Sequence, residues 1–205
     1  FEVIAGKSMP TDGPSRCFGF VQTYDAKPKR RLFEVLKSQG MQMNQQITFL
    51  TDGGEDVRDL PCYLNPRAEH LIDWFHITMR LTVMSQMTKG LRSRDNPELA
   101  TELLDELTKL KWFLWHGNVF RALQTVDDLQ IDLDNTEQLS SEQQKLLKMV
   151  TEFAGYIRAN GAWIPNYGER YRQGEAISSA FVESTVNQVV SKRMVKKQQM
   201  RWAPK

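Results

Sequence analysis

From about Leu91 to Gly161 the apolar residues of this chain recur only at helical spacing, whereas before Leu91 they fall into short strand-like runs divided by turns. One chain must therefore seat a block of helices alongside the strands that precede it. The order strand, strand, helix, strand ahead of the switch favours an α/β fold over an all-helical bundle.

The strand-bearing part opens with Phe1–Lys7, where Phe1, Val3 and Ala5 alternate with their neighbours. Pro10-Thr11-Asp12-Gly13-Pro14 marks a turn and Cys17–Tyr24 reads as a second strand, so the two are expected to form an antiparallel hairpin. Leu32, Phe33, Val35 and Leu36 space a helix over Lys29–Gln39, with Gly40 where a C′ glycine belongs. Next comes Gln46–Gly54, in which Ile47, Phe49 and Leu50 with two threonines make a buried strand that stops in Asp52-Gly53-Gly54. Such a strand delivers a carboxylate at its C-terminal end, where open α/β sheets gather ligands and metals. The plainer reading of Asp-Gly after a strand is a turn. A short helix over Asp56–Leu64 ended by Asn65-Pro66, a strand over Glu69–Phe75, and a helix through Met79, Leu81, Val83 and Met84 complete this part.

Asn96-Pro97 supplies an N-cap and a first-turn proline for a helix through Leu99, Leu103, Leu104, Leu107 and Leu110 to Trp115, broken at Gly117. A second helix runs from about Asn118 to Leu129, and the acidic stretch Asp127–Glu137 reads as an exposed connection. Ser141 with Gln144 has the form of a capping box for a third helix through Leu146, Leu147, Val150 and Phe153 to Ile157, ended by Gly161. Irregular Ile164–Gly168 then links to a long last helix from about Ile177 to near Trp202.

A net charge of +2 exerts no global pull on nucleic acid, so any such signal must be local. No apolar run approaches the roughly eighteen residues of a membrane-span candidate. Cys17 and Cys62 lie far apart without metal-site spacing, which reads most simply as a reduced, intracellular protein. The chain begins at Phe1, inside a strand-like run, and so reads as a fragment.

Three groups of residues have chemistry to offer. Glu183 shares a mostly apolar face of the last helix with Ala180, Val186, Asn187 and Val190, a costly place for a carboxylate unless it is paired or binds a cation. Snorkelling from the edge of that face is the bland alternative. Asp73 and His76 stand three apart and can converge; blandly, Asp73 is an N-cap and His76 bonds locally. Lys192, Arg193, Lys196, Lys197 and Arg201 form a basic row on the same last helix, either a solvated face or a track for phosphates. Lys27, Lys29, Arg30 and Arg31 make a second basic cluster open to the same two readings. Trp112, Phe113, Trp115 and His116 offer rings for base stacking, although that spacing is more often core.

The runs FEVIAGKSMP, RCFGFVQTYDAKPKRRLFEVLKSQGMQMNQQITFLTDGG, AEHLIDWFHITMRLTVM, KWFLWHGNVF, NYGERYRQGE and FVESTVNQVVSKRMVKKQQMRW resemble the transposases of ISKra-type bacterial insertion sequences, which are similar to the Mutator-like branch of the DDE superfamily. The resemblance covers nearly the whole chain. It implies a ribonuclease-H-like core, first part over 1–90, an all-helical insertion over 91–165, and a last part over 166–205 carrying the glutamate helix. By the same resemblance Asp52 matches the second catalytic aspartate, Glu183 the terminal catalytic glutamate, and Asp73 with His76 the Asp/Cys-x-x-His motif. The resemblance also implies that the family's first catalytic aspartate lies on a strand upstream of Phe1; within the chain, Asp12 falls in a turn and Asp25 at the far end of a strand, so Asp25 is the lesser alternative.

What the resemblance implies chemically is metal-dependent cleavage of insertion-sequence ends and their transfer into target DNA. Mg²⁺, for which Mn²⁺ can substitute, is expected on Asp52 and Glu183, because hard cations take carboxylate oxygens. A pair of ions about 3.5–4 Å apart stabilises both the attacking and the leaving oxygen. The implied setting is the nucleoid in the bacterial cytoplasm, with DNA as partner, no membrane, and a homo-oligomer as the active complex. Two other readings stand beside this: a DNA-binding or assembly protein that kept the fold and lost the chemistry, and a ribonuclease-H-like nuclease.

Overall fold

Val3–Ser8 (β1) and Arg16–Val21 (β2) pair antiparallel across the expected turn, in a register that sets Gly6 opposite Phe18. The Phe18 ring lies over Gly6, so a side chain at that position would collide with it. A computed structural model describes residues 3–10, 12–21, 27–92, 97–134 and 139–179, and every structural statement below concerns these. They show a mixed α/β chain that is mostly helical, with two small sheets of two strands each. Two compact units are present, one drawn from Phe1–Phe49 and Glu55–Glu69, the other from Leu50–Gly54 and His70–Ser178.

In the first unit, helix α1 (Pro28–Ser38) buries Leu32 and Leu36 one turn apart. Its end is closed as Gly40 foretold. Gly40 takes φ of 92° and donates to the Lys37 carbonyl at 3.0 Å, while Met41 donates to Leu36 at 3.1 Å and packs on the Leu32–Leu36 cluster. Where one helix was expected over Asp56–Leu64 there are two, α2 (Glu55–Arg58) and α3 (Leu60–Leu64). Pro61 has no N–H to give the Val57 carbonyl, so the first helix stops and the proline serves the first turn of the second. Leu60 and Leu64 join the α1 cluster. Asn65, fully buried, donates to the Gln45 carbonyl at 2.8 Å and accepts from the Arg67 N–H at 2.8 Å, which ties the loop after α1 to the end of α3.

Strands β3 (Thr48–Thr51) and β4 (Glu69–Ile72) form the second sheet. Glu69 N–H donates to the Ile47 carbonyl and Asp73 N–H to that of Thr51, so the same offset recurs four residues on and the strands run parallel. The expected strand over Glu69–Phe75 is shorter than its apolar run, because Asp73 caps a helix that begins at Trp74.

That helix, α4 (Trp74–Arg92), starts a closed ring in the second unit. It packs on α5 (Pro97–Trp115), α5 on α6 (Val119–Asp134), α6 on α7 (Ser141–Asn160), and α7 back on α4. The helical stretch over 91–165 thus shares one core with α4, through Ile77, Leu81, Met84, Leu103, Leu107, Leu110, Leu129, Leu146, Val150 and Phe153. The acidic stretch expected to be a connection is helical as far as Asp134. Val126, Leu129 and Leu133 continue the inward row there, while Asp127, Asp128 and Asp134 occupy the exposed side. The capping box lies one residue earlier than expected: Ser140 and Gln143 exchange hydrogen bonds, and Gln143 is buried. Gly161 does not end α7 with a left-handed turn but leads into a single 3-10 turn, Gly161–Trp163. Ile164–Gly168, expected to be irregular, enters helix α8 (Tyr167–Arg172), capped by the Asn166 side chain on Glu169 N–H at 3.0 Å. No helix among the described residues is long and apolar enough to cross a membrane.

Candidate functional site

Two aspartates leave the parallel strands at the same end. The Asp73 N–H donates to the Thr51 carbonyl at 2.9 Å, which puts the backbone of Asp73 beside the peptide that joins Thr51 to Asp52. Asp52 is exposed, and its Oδ1 accepts from the Gly54 N–H at 3.0 Å, shaping the turn that follows β3. Within that turn Gly53 has φ of 80°, and a Cβ placed there would come within 3.0 Å of Asn160 and Tyr156. Only glycine meets both demands without strain. The strand end is therefore pressed against the last turns of α7.

Tyr156 and Asn160 of α7 make this contact polar. The Tyr156 hydroxyl donates to the Asp52 carbonyl at 3.0 Å. Asn160, 1% exposed, donates from Nδ2 to the Tyr156 carbonyl at 3.0 Å, while its Oδ1 has no hydrogen-bond partner among the described residues. An unmet buried oxygen carries a desolvation cost of about 1–3 kcal/mol, which its stability has to absorb or a ligand has to relieve. Burial pushes the Tyr156 phenol well above its ordinary value; Arg80 opposes the shift, and Asp52 and Asp73 both add to it. One phenol thus feels both carboxylates and one guanidinium.

Asp73 is 2% exposed and performs a structural task, its Oδ1 accepting the Phe75 N–H at 2.9 Å as the N-cap of α4. Its Oδ2 lies 3.9 Å from His76 Nε2, beyond hydrogen-bond reach and an ion pair only when the imidazole is protonated. The cap that the bland reading foresaw is present, and His76 stands half-buried one turn into α4. One further turn along, the Arg80 guanidinium lies 4.5 Å from the centre of the Tyr156 ring. His70 on β4 reaches back across the sheet, its Nε2 2.7 Å from Thr51 Oγ1, and its ring packs on Trp163 at 4.9 Å. The wholly buried Tyr167 donates to the Ile72 carbonyl at 2.7 Å, fixing the residue just before Asp73. The chain comes back to this point at Ile177, whose carbonyl accepts the Trp74 N–H at 3.1 Å.

Glu183 and the basic row Lys192, Arg193, Lys196, Lys197 and Arg201 lie outside the described residues; residues 177–179, where the last helix was expected to begin, are not helical. In the other unit, Lys29 lies over the Tyr63 ring at 5.4 Å and Arg30 pairs with Glu34 at 3.0 Å, both at the surface. Of the ring cluster on α5, Trp112 departs from the core reading. It is 57% exposed, because the inward row is Leu103, Leu107, Leu110 and Leu114, and its ring instead meets that of His116 at 4.1 Å. Arg80, Tyr156 and Asn160 were not singled out in the sequence, since nothing local to α4 or α7 marks them.

Among the described residues no group of three or more His, Cys, Asp or Glu side chains is placed to hold a metal ion. The donor chemistry nonetheless fits Mg²⁺ in kind: Asp52 and Asp73 offer carboxylate oxygens, and the unmet Asn160 Oδ1 is another hard oxygen close by. Two carboxylates alone fall one short of a three-acid site. No family model, curated protein or solved structure matches the chain.

Proposed function

We propose that this chain carries the catalytic part of a DDE-type DNA transposase built on a ribonuclease-H-like core, acting on insertion-sequence ends and target DNA. The observation that supports this reading most directly is the exit of Asp52 and Asp73 from adjacent parallel strands at one end, with Tyr156 bonded to the Asp52 carbonyl. Carboxylates collected at strand ends suit a reaction that develops charge on phosphate oxygens. By the resemblance, Asp52 and Glu183 would hold Mg²⁺ or Mn²⁺, which when bound would supply charge stabilisation to the attacking and leaving oxygens of the phosphodiester. Asp52 is exposed to substrate, and Tyr156 fixes its backbone. Asp73 anchors the first turn of α4 and keeps His76 at the strand end, where the imidazole can exchange a proton with a water or a 3′-oxygen. The basic row from Lys192 to Arg201 tracks the DNA backbone, and the active complex is a homo-oligomer.

One observation favours a second reading. Asp73 is occupied as a helix cap, which suits a DNA-binding protein that kept the fold and lost the chemistry. Nicking of DNA bearing element ends, with Mg²⁺ or Mn²⁺ supplied and withheld, separates the two. In a protein that also carries the family's first aspartate, the transposase reading expects metal-dependent nicking that Asp52→Asn and Glu183→Gln each abolish while DNA binding persists. Binding without nicking in either metal, or nicking that survives both substitutions, removes it.

A further inference from the structure

We infer that Arg80 is a phosphate-positioning residue, its guanidinium held over the Tyr156 ring to receive a phosphodiester of DNA at the end of β3 and β4. The inference rests on the DNA-processing reading above. Arg80 lies 4.5 Å from the centre of the Tyr156 ring, and the hydroxyl of that ring is bonded to the Asp52 carbonyl at 3.0 Å. The guanidinium is therefore tied to the aspartate turn through one rigid ring. A cation over a ring keeps N–H donors for other partners, and the guanidinium fork matches phosphate oxygens. Among the described residues Arg80 makes no hydrogen bond and no ion pair, although Asp52 and Asp73 both bear on the same phenol. Its N–H donors are thus uncommitted among the described residues.

Electrostatics supply the need. A phosphodiester approaching the Asp52 carboxylate meets like charge, and a cation tied to the same turn through Tyr156 offsets part of that repulsion. His76, one turn before Arg80 on the same helix, adds positive charge only when protonated. Lysine in place of Arg80 keeps the charge but loses both the plane and the fork.

The test is the binding of a short fluorescently labelled DNA duplex to the whole chain across a salt series, with metal chelated so that chemistry is silent. Arg80→Ala is expected to weaken binding several-fold and to lower the slope of log affinity against log salt by about 0.9, the mark of one lost phosphate contact. Arg80→Lys keeps most of that slope with reduced affinity, and Tyr156→Phe, which retains the ring, keeps both. A merely structural arginine leaves the slope unmoved. Arg80→Ala with wild-type affinity and slope, in a protein whose wild type binds the duplex, overturns the inference alone; a wild type with no salt-dependent affinity for DNA overturns the transposase reading with it. Inorganic phosphate that displaces the duplex through Arg80 at matched ionic strength assigns the site to a free anion and overturns the DNA assignment.

Discussion

Substitution of Asp73 separates its structural task from any chemical one, because asparagine can perform the first and not the second. The side chain is 2% exposed and its Oδ1 accepts the Phe75 N–H at 2.9 Å, at the start of a helix whose residues Ile77, Leu81 and Met84 form part of the core of its unit. Alanine removes the acceptor. The loss of an N-cap costs about 0.5–2 kcal/mol, and an orphaned buried N–H about 1–3 kcal/mol, two measures of one loss that overlap near 1–2 kcal/mol. Asparagine accepts the same hydrogen bond and forgoes only the attraction of a negative charge for the helix N-terminus, about 0.3–1 kcal/mol, part of which returns because no charge is buried. Urea unfolding followed by far-ultraviolet circular dichroism reads the difference as a midpoint shift at constant slope. For a chain of this size each kcal/mol moves Tm by about 2–4 °C. Asp73→Asn is expected close to wild type and Asp73→Ala clearly below it. In the nicking assay both are expected to be inactive, asparagine because it is stable yet uncharged. Equal destabilisation by the two substitutions refutes the capping argument, and a fully active Asp73→Asn leaves the residue a cap and nothing more.

Gly53→Ala places a methyl group within 3.0 Å of Asn160 and Tyr156 on a backbone with φ of 80°. The left-handed backbone costs about 1–2 kcal/mol and the overpacking about 1–3 kcal/mol, so urea unfolding is expected to show a loss of about 2–5 kcal/mol; a loss below about 1 kcal/mol refutes the close packing of α7 on the β3 turn. Tyr167→Phe leaves the Ile72 carbonyl without its 2.7 Å partner and is expected to cost about 1–3 kcal/mol. Burial, with smaller contributions from Tyr156 and Asp73, raises the Tyr167 phenol above its ordinary 10.0, so the folded state keeps a proton that the unfolded chain releases. Its contribution is complete below about pH 10 and declines as the pH rises further, and an alkaline stability profile as steep in Tyr167→Phe as in wild type overturns that assignment.

The features visible in the sequence are those written over a few neighbouring residues. Alternation and a Pro-rich turn specify the β1–β2 hairpin, and Gly40 marks the end of α1 because only a left-handed residue lets Met41 reach back to Leu36. Asp52 is placed at a strand end by the same kind of signal, whereas Asp73 falls inside the expected Glu69–Phe75 strand and only its capping of α4 puts it at the end. Local signals also mislead where two readings share one spacing. Ser140 with Gln143 and Ser141 with Gln144 satisfy the same capping pattern, and the burial of Gln143 chooses between them. Acidic composition hides the Val126–Leu129–Leu133 row that keeps α6 helical.

Nothing along the chain announces that Tyr156 will bond the Asp52 carbonyl across 104 positions, that Asn160 will close over Gly53, or that Arg80 will lie on the same ring. Helical spacing says which side of α7 faces inward but not which strand end it meets. That choice belongs to the closed ring of α4 to α7, whose shared apolar core sets where each helix ends in space, and the polar contacts of the aspartate turn follow from it.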